Sequence, residues 1–431
     1  MDPTPITPVR RAAVAFIFVT VAIDILSFGI IIPVLPQLIK QMAGGSTVSA
    51  AQWVGLISTI FAIVQFFSSP VQGALSDRFG RRPVILLSNL GLGLDFMLMA
   101  VVNTLPLLIV ARVISGMTSA SFSTANAYIA DVTPPEKRAA AFGMLGAAFG
   151  IGFVLGPALG GFLGSFDLRL PFWVAAGLAL TNFCYGYFIL PESLPPERRS
   201  PRFLLKHANP IGALGLLRRY PQVAGLAIVV FLSNLAHYVL NTTFVLYADY
   251  RYHWGPREVG YTLALVGLCN GLVQAVLIGK LVPRFGERRM LMTGLLFGVF
   301  GFAVQGLAPT GMLFLLAIPF LALWGFAGPA TQAIMTRQVD PHEQGRLQGA
   351  VASLASVAGI IGPGLHTQVF AAFIGVEADL HLPGAAFLLS SLLLLAGLIV
   401  AWRVTISMRG FVPAAKVAPA EAPVQTGGLP D

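Results

Sequence analysis

Residues 73–83 read GALSDRFGRRP, and residues 279–289 read GKLVPRFGERR, so one short charged segment occurs twice in the chain. A second pair has the same spacing. GMLGAAFGIGFVLGPALGG, which starts at Gly143, is echoed by GAVASLASVAGIIGPG, which starts at Gly349. Two unrelated segments with a common spacing indicate an internal duplication. Because each charged segment lies between long apolar runs, we predict a membrane protein built from two halves of the same orientation.

The composition is that of a membrane protein. Hydrophobic residues make up 56% of the chain and charged residues 10%, whereas about a quarter of the residues of a soluble domain are charged. Apolar runs of about 20 residues recur, which is enough to span roughly 30 Å of hydrocarbon as a helix. We therefore predict an all-α protein with two parallel-repeat, six-helix halves. Its twelve predicted transmembrane helices lie at 12–39, 52–74, 83–102, 105–128, 139–164, 171–190, 221–247, 258–280, 290–308, 311–336, 346–374 and 383–404.

The chain divides into four predicted regions. The first six-helix half covers residues 1–190, and the second covers residues 221–404. Residues 191–220 contain Pro, Glu and several basic residues, and they are the predicted cytoplasmic linker between the halves. Residues 405–431 are rich in Pro, Ala and Gly, and we predict a disordered cytoplasmic tail.

Basic residues set the orientation. With the N-terminus placed inside, only Lys40, Arg169, Arg251 and Arg257 of the 27 Lys and Arg fall on the opposite side, and Arg112 falls within a span. Positively charged loops stay in the cytoplasm, so both termini are predicted to be cytoplasmic. The net charge of +9 is thus a feature of topology, and we predict no nucleic-acid partner.

Three residues of fixed charge sign lie in the interiors of the predicted spans, away from the span ends: Asp24, Asp95 and Arg112. A charge at mid-bilayer depth costs at least about 2.5–3.5 kcal/mol, so such residues usually face an interior cavity. A carboxyl between apolar surroundings and a nearby Arg can exchange protons near neutral pH, which predicts proton coupling by Asp24 and Asp95. Arg112 stays charged and would tune either acid. The alternatives are a helix-packing role for each acid and an interhelix clamp for Arg112.

Small residues crowd the fifth predicted helix. Since Gly costs about 1 kcal/mol relative to Ala in a helix interior, this pattern indicates close helix packing in lipid. A phosphate-binding loop is excluded because the run is membrane-embedded and lacks a preceding strand. The chain has no recognised motif of an enzyme and no metal-ligand spacing, so we predict neither catalysis nor a metal site. The residues are Gly143, Gly152, Gly156, Pro157, Gly160 and Gly161.

Charged loops on the cytoplasmic side are candidate gates. One contains Asp77, Arg78, Arg81 and Arg82, and another contains Asp131. Ion pairs between such loops could hold the cytoplasmic side shut. Exposed pairs are worth only about 0–1 kcal/mol each, so several would have to act together. The alternative is that these loops only enforce topology.

Neutral polar residues within the spans are candidates for a substrate cavity. Taken individually, each is better explained by an interhelix hydrogen bond than by a ligand contact. As a set they would suit an uncharged or zwitterionic small molecule. They are Gln65, Asn126, Asn234, Asn241, Asn270, Gln274 and Gln332.

These segments resemble the drug–proton antiporter branch of the major facilitator superfamily, and bacterial tetracycline exporters in particular. GALSDRFGRR at 73–82 is similar to the signature loop of the superfamily. The spacing from Gly143 through Gly161 is similar to its antiporter motif, and Arg112 followed by Gly116 to its fourth-helix motif. The likeness extends through about residue 404.

The resemblance implies a multi-pass protein of the bacterial inner membrane that exchanges a cytoplasmic drug for protons. Asp24 and Asp95 would match the family's intramembrane acids, and Gln65 a position near the drug. Asn270 and Gly298 stand where tetracycline exporters typically carry His and Asp, which leaves the substrate open. We expect a monomer without a resident cofactor. Whether a divalent cation accompanies the substrate stays open.

Other functions remain possible at this level. The chain could take up a metabolite by proton symport, or it could be a membrane receptor without transport. The acids and Arg112 all lie in the first half, whereas the spans of the second half offer only His237 and His366. We therefore expect the first half to handle protons and gating, and the second to shape the cavity.

Overall fold

The computed structural model describes residues 8–119, 121–200, 210–375 and 380–407. This part of the chain is helical and contains no β-strand. Helices are the expected solution in lipid, because each satisfies its own backbone hydrogen bonds. The helices are α1 (Pro8–Ile31), α2 (Leu35–Met42), α3 (Thr47–Phe79), α4 (Arg81–Val101), α5 (Leu105–Thr118), α6 (Ser121–Val132), α7 (Pro135–Gly164), α8 (Leu170–Ile189), α9 (Pro210–Arg219), α10 (Pro221–Thr242), α11 (Phe244–Tyr252), α12 (Pro256–Leu272), α13 (Ile278–Phe285), α14 (Glu287–Leu307), α15 (Gly311–Ala322), α16 (Ala327–Gln338), α17 (Gln344–Ile374) and α18 (Ala385–Ser407).

These helices make twelve crossings of the membrane. Eleven helical stretches in the described residues are long and apolar enough to span a bilayer, and the shorter apolar helix α5 together with α6 accounts for the fourth crossing. The predicted all-α class is confirmed. The predicted tail begins too early, since α18 continues to Ser407. The rest of that tail lies outside the described residues.

The two duplicated segments form turns of one residue. Gly80 separates α3 from α4 with φ +106°, and Gly286 separates α13 from α14 with φ +81°. A left-handed backbone at these two positions favours glycine over a residue with a Cβ. The charged residues on either side of each glycine are therefore helical.

Several crossings are interrupted. The fourth breaks between α5 and α6, and the tenth passes through a 3₁₀ segment, Leu323–Phe326. The first and seventh each break before a short helix, α2 and α11. The eighth contains a π-helical segment, Val273–Leu277, between α12 and α13. Departures from α-helix in the middle of a crossing often occur at functional sites.

The bundle has two faces. The linker face carries Gly80, Gly286 and the described linker residues 190–200 and 210–220, and the distal face carries the loops at 43–46, 253–255 and 308–310. The linker itself includes α9, which packs against α17.

The two halves meet mainly toward the distal face. There α7 packs on α12 and α3 packs on α17. Gly161 faces Gly260 so closely that a Cβ on Gly161 would lie 2.8 Å from the Gly260 Cα. Nearer the linker face, a Cβ on Gly146 of α7 or on Gly279 of α13 would meet no other atom within 4 Å. Among the described residues, the close contact of Gly161 with Gly260 between the halves therefore lies toward the distal face.

Candidate functional site

Asp24 of α1 is held by two amide side chains. Asn182 of α8 donates from Nδ2 to Asp24 Oδ1 at 2.8 Å, and to the carbonyl oxygen of Thr20 at 2.9 Å. The Asn89 amide is oriented so that its nitrogen donates toward Asp24, as the surrounding donors and acceptors require. This nitrogen then lies 3.2 Å from both carboxylate oxygens of Asp24. Asn89 and Asn182 are fully buried. The structure thus surrounds Asp24 with dipoles from α4 and α8.

Asp95 and Arg112 form a second, more deeply buried group. Their side chains are almost wholly buried at 1% and 6% exposure. The Arg112 guanidinium lies 4.5 Å from the centre of the Phe61 ring, and Nη1 lies 3.8 Å from Met99 Sδ. No salt bridge of 4 Å or less joins Asp95 to Arg112 among the described residues, although Arg112 and Ser115 both influence the Asp95 carboxyl. Of the two acids, Arg112 is therefore placed to act on Asp95.

The predicted gating residues converge within the first half. Arg81 donates from Nη1 to Asp77 Oδ1 at 2.6 Å and from Nε to Asp131 Oδ2 at 3.0 Å. Arg81, the first residue of α4, thus joins the linker-face ends of α3 and α6. Arg78 instead stacks on Phe79, 5.3 Å from the ring centre.

Glu192 completes this group, and the sequence pattern did not single it out. Its Oε1 accepts from the backbone N–H of Arg81 at 2.8 Å, and its Oε2 from that of Arg82 at 3.3 Å. A Cβ at Gly80 would overlap Glu192 Oε2. Glu192 therefore binds the start of α4, where a carboxylate is favoured. Its place in LPES, directly after the sixth crossing, is the feature that could have indicated it.

The small residues of α7 divide between two partners. Gly152, Gly156 and Gly160 face α1, where a Cβ on Gly156 would lie 2.7 Å from the Gly29 Cα. Gly161 faces α12, whereas a Cβ on Gly143 would meet no other atom within 4 Å. Pro157 lies inside α7, and its carbonyl oxygen occupies the space that a Cβ on Gly260 would need. Helix α7 therefore joins α1, which carries Asp24, to the second half.

The predicted cavity residues are distributed over both halves. Asn241 and Gln274 are exposed, and Gln274 belongs to the π-helical segment that follows Asn270. Asn234 donates to the carbonyl oxygen of Val230 at 2.9 Å, a bond within its own helix. The remaining three are half-buried: Gln65 on α3, Asn126 on α6 and Gln332 on α16.

The second half presents imidazoles and aromatic rings. His366 is fully buried, with Nδ1 3.0 Å from the Gly362 carbonyl oxygen and Nε2 3.0 Å from Ser390 Oγ. The His237 ring lies 5.8 Å from that of Trp324. A Cβ at Gly298 would lie 3.0 Å from Trp324 Cγ, so the indole takes the space a larger residue would need.

Comparisons with known proteins agree with this architecture. The family model of the Major Facilitator Superfamily matches residues 17–363 and 226–426. Tetracycline resistance protein, class C, of Escherichia coli is 38% identical over 360 residues, which cover 84% of this chain and 90% of that protein. Multidrug resistance protein 2 of Bacillus subtilis (strain 168) is 30% identical over 378 residues, covering 86% and 90%. The crystal structure of the human organic anion transporter MFSD10 (TETRAN) covers 93% of this chain and 100% of that one, with a TM-score of 0.67 and 24% identity.

A duplicated twelve-crossing bundle with buried charges in one half defines a membrane transporter rather than an enzyme. The chain belongs to the Major Facilitator Superfamily.

Proposed function

We propose that the protein exports a drug-like small molecule, with a tetracycline-type antibiotic as the first candidate, in exchange for protons. The similarity to tetracycline and multidrug resistance proteins supports the substrate class. In this function the protein lies in a bacterial inner membrane, with both termini and the linker face in the cytoplasm. The monomer is the working unit. It includes no resident cofactor, and a divalent cation on the drug would be cargo.

The observation that carries the proposal is the Asp24 carboxylate between the Asn89 and Asn182 amides. Amide N–H groups stabilise the charged form of a carboxyl by hydrogen bonding, so proton binding at Asp24 would change its contacts with α4 and α8. Gly29 follows Asp24 on α1 and packs directly on Gly156. Gly161, farther along α7, contacts the second half. A proton at Asp24 thus acts on the helix that links the halves.

Alternating access follows from the same geometry. With the halves apart at the linker face, a cytoplasmic drug can reach the polar residues between them. The drug would displace protons from Asp24 and Asp95 to the cytoplasm, and the halves would then rock to open the distal face. Protons from outside would reload both acids and return the protein to its starting conformation.

Everted membrane vesicles test the function. We expect vesicles that contain the protein to accumulate tetracycline or another drug of a test panel when respiration acidifies their interior, and to lose the drug when the gradient is collapsed. Accumulation in right-side-out vesicles instead would indicate proton-coupled uptake. No gradient-dependent movement of any panel compound would contradict transport of drugs.

A further inference from the structure

The second half carries a groove of about 670 Å³ that no part of the proposed transport cycle uses. It lies between α13, α14, the 3₁₀ segment Leu323–Phe326 and α18. Both α14 and α18 pack mainly on other helices of the second half. A smaller groove of about 360 Å³ continues between α14 and α18, and it shares Met292 and Trp402 with the first. The two grooves therefore lie on the outer side of the bundle, away from the contact between the halves.

The walls of the groove are apolar from the linker face to about mid-membrane depth. Arg288, in the first turn of α14, and Phe297 both line it. Nine residues of helix separate them, which is about 14 Å. Leu323 and Phe326 of the interrupted tenth crossing form the opposite wall. This depth is close to half of the roughly 30 Å hydrocarbon layer, the length available to one acyl chain.

The rim at the linker face carries two arginines, Arg288 and Arg289. Arg288 donates from Nε to Thr405 Oγ1 at 2.9 Å. Neither Arg288 nor Arg289 takes part in a salt bridge among the described residues. The neighbouring acid, Glu287, is paired with Arg337 at 2.6 Å. Two positive charges are thus left for an external anion.

Trp402 marks the depth of this rim in the bilayer. It lines the groove near the end of α18, and its side chain is 54% exposed. Exposed Trp side chains near helix ends typically lie at the level of lipid headgroups. The rim arginines are therefore at headgroup depth, with the apolar walls beneath them.

We propose that this groove binds one anionic phospholipid of the cytoplasmic leaflet. Arg288 and Arg289 bind its phosphate as charge-assisted hydrogen-bond donors, and an acyl chain lies along Phe297, Leu323 and Phe326. Basic pockets between helices on the cytoplasmic side suit such headgroups. The leaflet assignment rests on the topology in the proposed function, whereas the choice of an anionic lipid rests on the unpaired charges alone.

Native mass spectrometry of the purified full-length protein tests the proposal. We expect added phosphatidylglycerol to remain bound at concentrations at which phosphatidylcholine does not, because basic residues near the membrane surface favour an anionic headgroup. Arg288→Gln/Arg289→Gln should weaken this binding at least about tenfold. Arg198→Gln/Arg218→Gln, which removes two exposed arginines outside the groove, should leave it unchanged. Met292→Trp should also reduce binding because it fills the groove while both charges remain.

The outcomes are distinct from those of the transport assay. Equal retention of phosphatidylcholine and phosphatidylglycerol by the unchanged protein would overturn the anionic choice. An equal loss of phosphatidylglycerol binding in both arginine double variants would show a general effect of charge, and it would contradict a specific site in the groove. Displacement of the lipid by tetracycline at the groove would assign the groove to the substrate instead. Each variant can be purified and weighed whether or not the protein exports drugs.

Discussion

At the scale of single residues, Asp24 differs from Asp95 in how its charge is stabilised. Asp24 receives amide hydrogens from Asn89 and Asn182, whereas both carboxylate oxygens of Asp95 lack a hydrogen bond of ordinary geometry within the described part of the chain. Hydrogen bonds to a charged group stabilise that charged form. The two acids therefore differ in their hydrogen-bond surroundings, and each can be tested separately.

Replacement of Asn182 by Ala tests the amide support of Asp24. The carboxylate loses one of its amide donors. We expect proton-coupled transport to fall by roughly tenfold, because a hydrogen bond to a charged group is worth about 1.5–3 kcal/mol. Rates in proteoliposomes with an imposed pH gradient would show the loss. Asn103→Ala, in the distal loop, is the control, and a wild-type rate for Asn182→Ala would contradict the assignment.

Gly298 provides a second residue-scale prediction. A Cβ there would lie 2.5 Å from Leu394 Cδ1 and 3.0 Å from Trp324 Cγ. We expect Gly298→Ala to destabilise the protein by about 1–3 kcal/mol through overpacking, and Gly298→Asp to do so more strongly. Gly328→Ala is the matched control, because its Cβ would meet nothing within 4 Å. Thermal unfolding in detergent would measure the stability of Gly298→Ala and of Gly328→Ala. Equal unfolding midpoints for these two variants would contradict the prediction.

Charged residues in apolar runs could be found from the sequence, but their partners could not. Asp24, Asp95 and Arg112 stand out because each breaks a run that is otherwise apolar. Asn89 and Asn182 are ordinary polar residues of their spans, and only packing brings Asn182 to Asp24 across 158 positions of the chain. The partner choice of Arg112 was likewise undecided until the fold placed it near Asp95.

At the scale of helices, the contact between α1 and α7 depends on glycine. Gly156→Val would place side-chain atoms where the Gly29 backbone lies, so α7 should be pushed away from α1. We expect a loss of at least about tenfold in transport rate, since overpacking costs about 1–3 kcal/mol. Gly150→Val adds the same side chain to the same helix, where a Cβ meets nothing within 4 Å. Equal rates for the two variants would contradict a specific role for the α1–α7 contact.

The interruptions of the helices were not predictable from apolar periodicity. The sequence predicts one helix over 311–336, yet the structure has a 3₁₀ segment at Leu323–Phe326. The π-helical segment Val273–Leu277 lies in an equally apolar run. Such breaks depend on how neighbouring helices re-satisfy the freed backbone groups, and a single span does not reveal those neighbours.

At the scale of the whole molecule, the duplication brings corresponding elements face to face. Helices α2 and α11 each follow the break in the first crossing of their half, and Lys40 of α2 lies 2.5 Å from Asp249 of α11. This is the salt bridge that joins the halves among the described residues. Two identical charges at these positions would repel, so the opposite charges suit a closed distal face.

Charge reversal tests the role of this pair. We expect Lys40→Asp and Asp249→Lys each to open the distal face more often and to lower transport several-fold, because each creates a like-charge contact. The double reversal should restore most of the rate. Distances between spin labels on the two halves would report the opening. Failure of the double variant to recover would contradict a direct interaction.

The overall architecture was largely readable from the sequence. The repeated Gly-containing turns and the apolar runs predict two six-helix halves, and both turns occur at Gly80 and Gly286. The conformation was not readable, because the place where the halves contact each other depends on helices that are distant in the chain. Ion pairs of Arg81 with Asp77 and Asp131 also lie within one half, so they do not themselves close the space between halves.

Proton-coupled exchange by buried acids is the central claim, and proteoliposomes that contain only this protein test it most directly. With a pH gradient imposed across the membrane and a drug identified by the vesicle panel, we expect gradient-driven drug movement and a matching flux of protons. Asp24→Asn and Asp95→Asn should abolish gradient-driven movement, while Asp167→Asn in a distal loop should leave it intact. Wild-type exchange by both Asp24→Asn and Asp95→Asn would contradict the account.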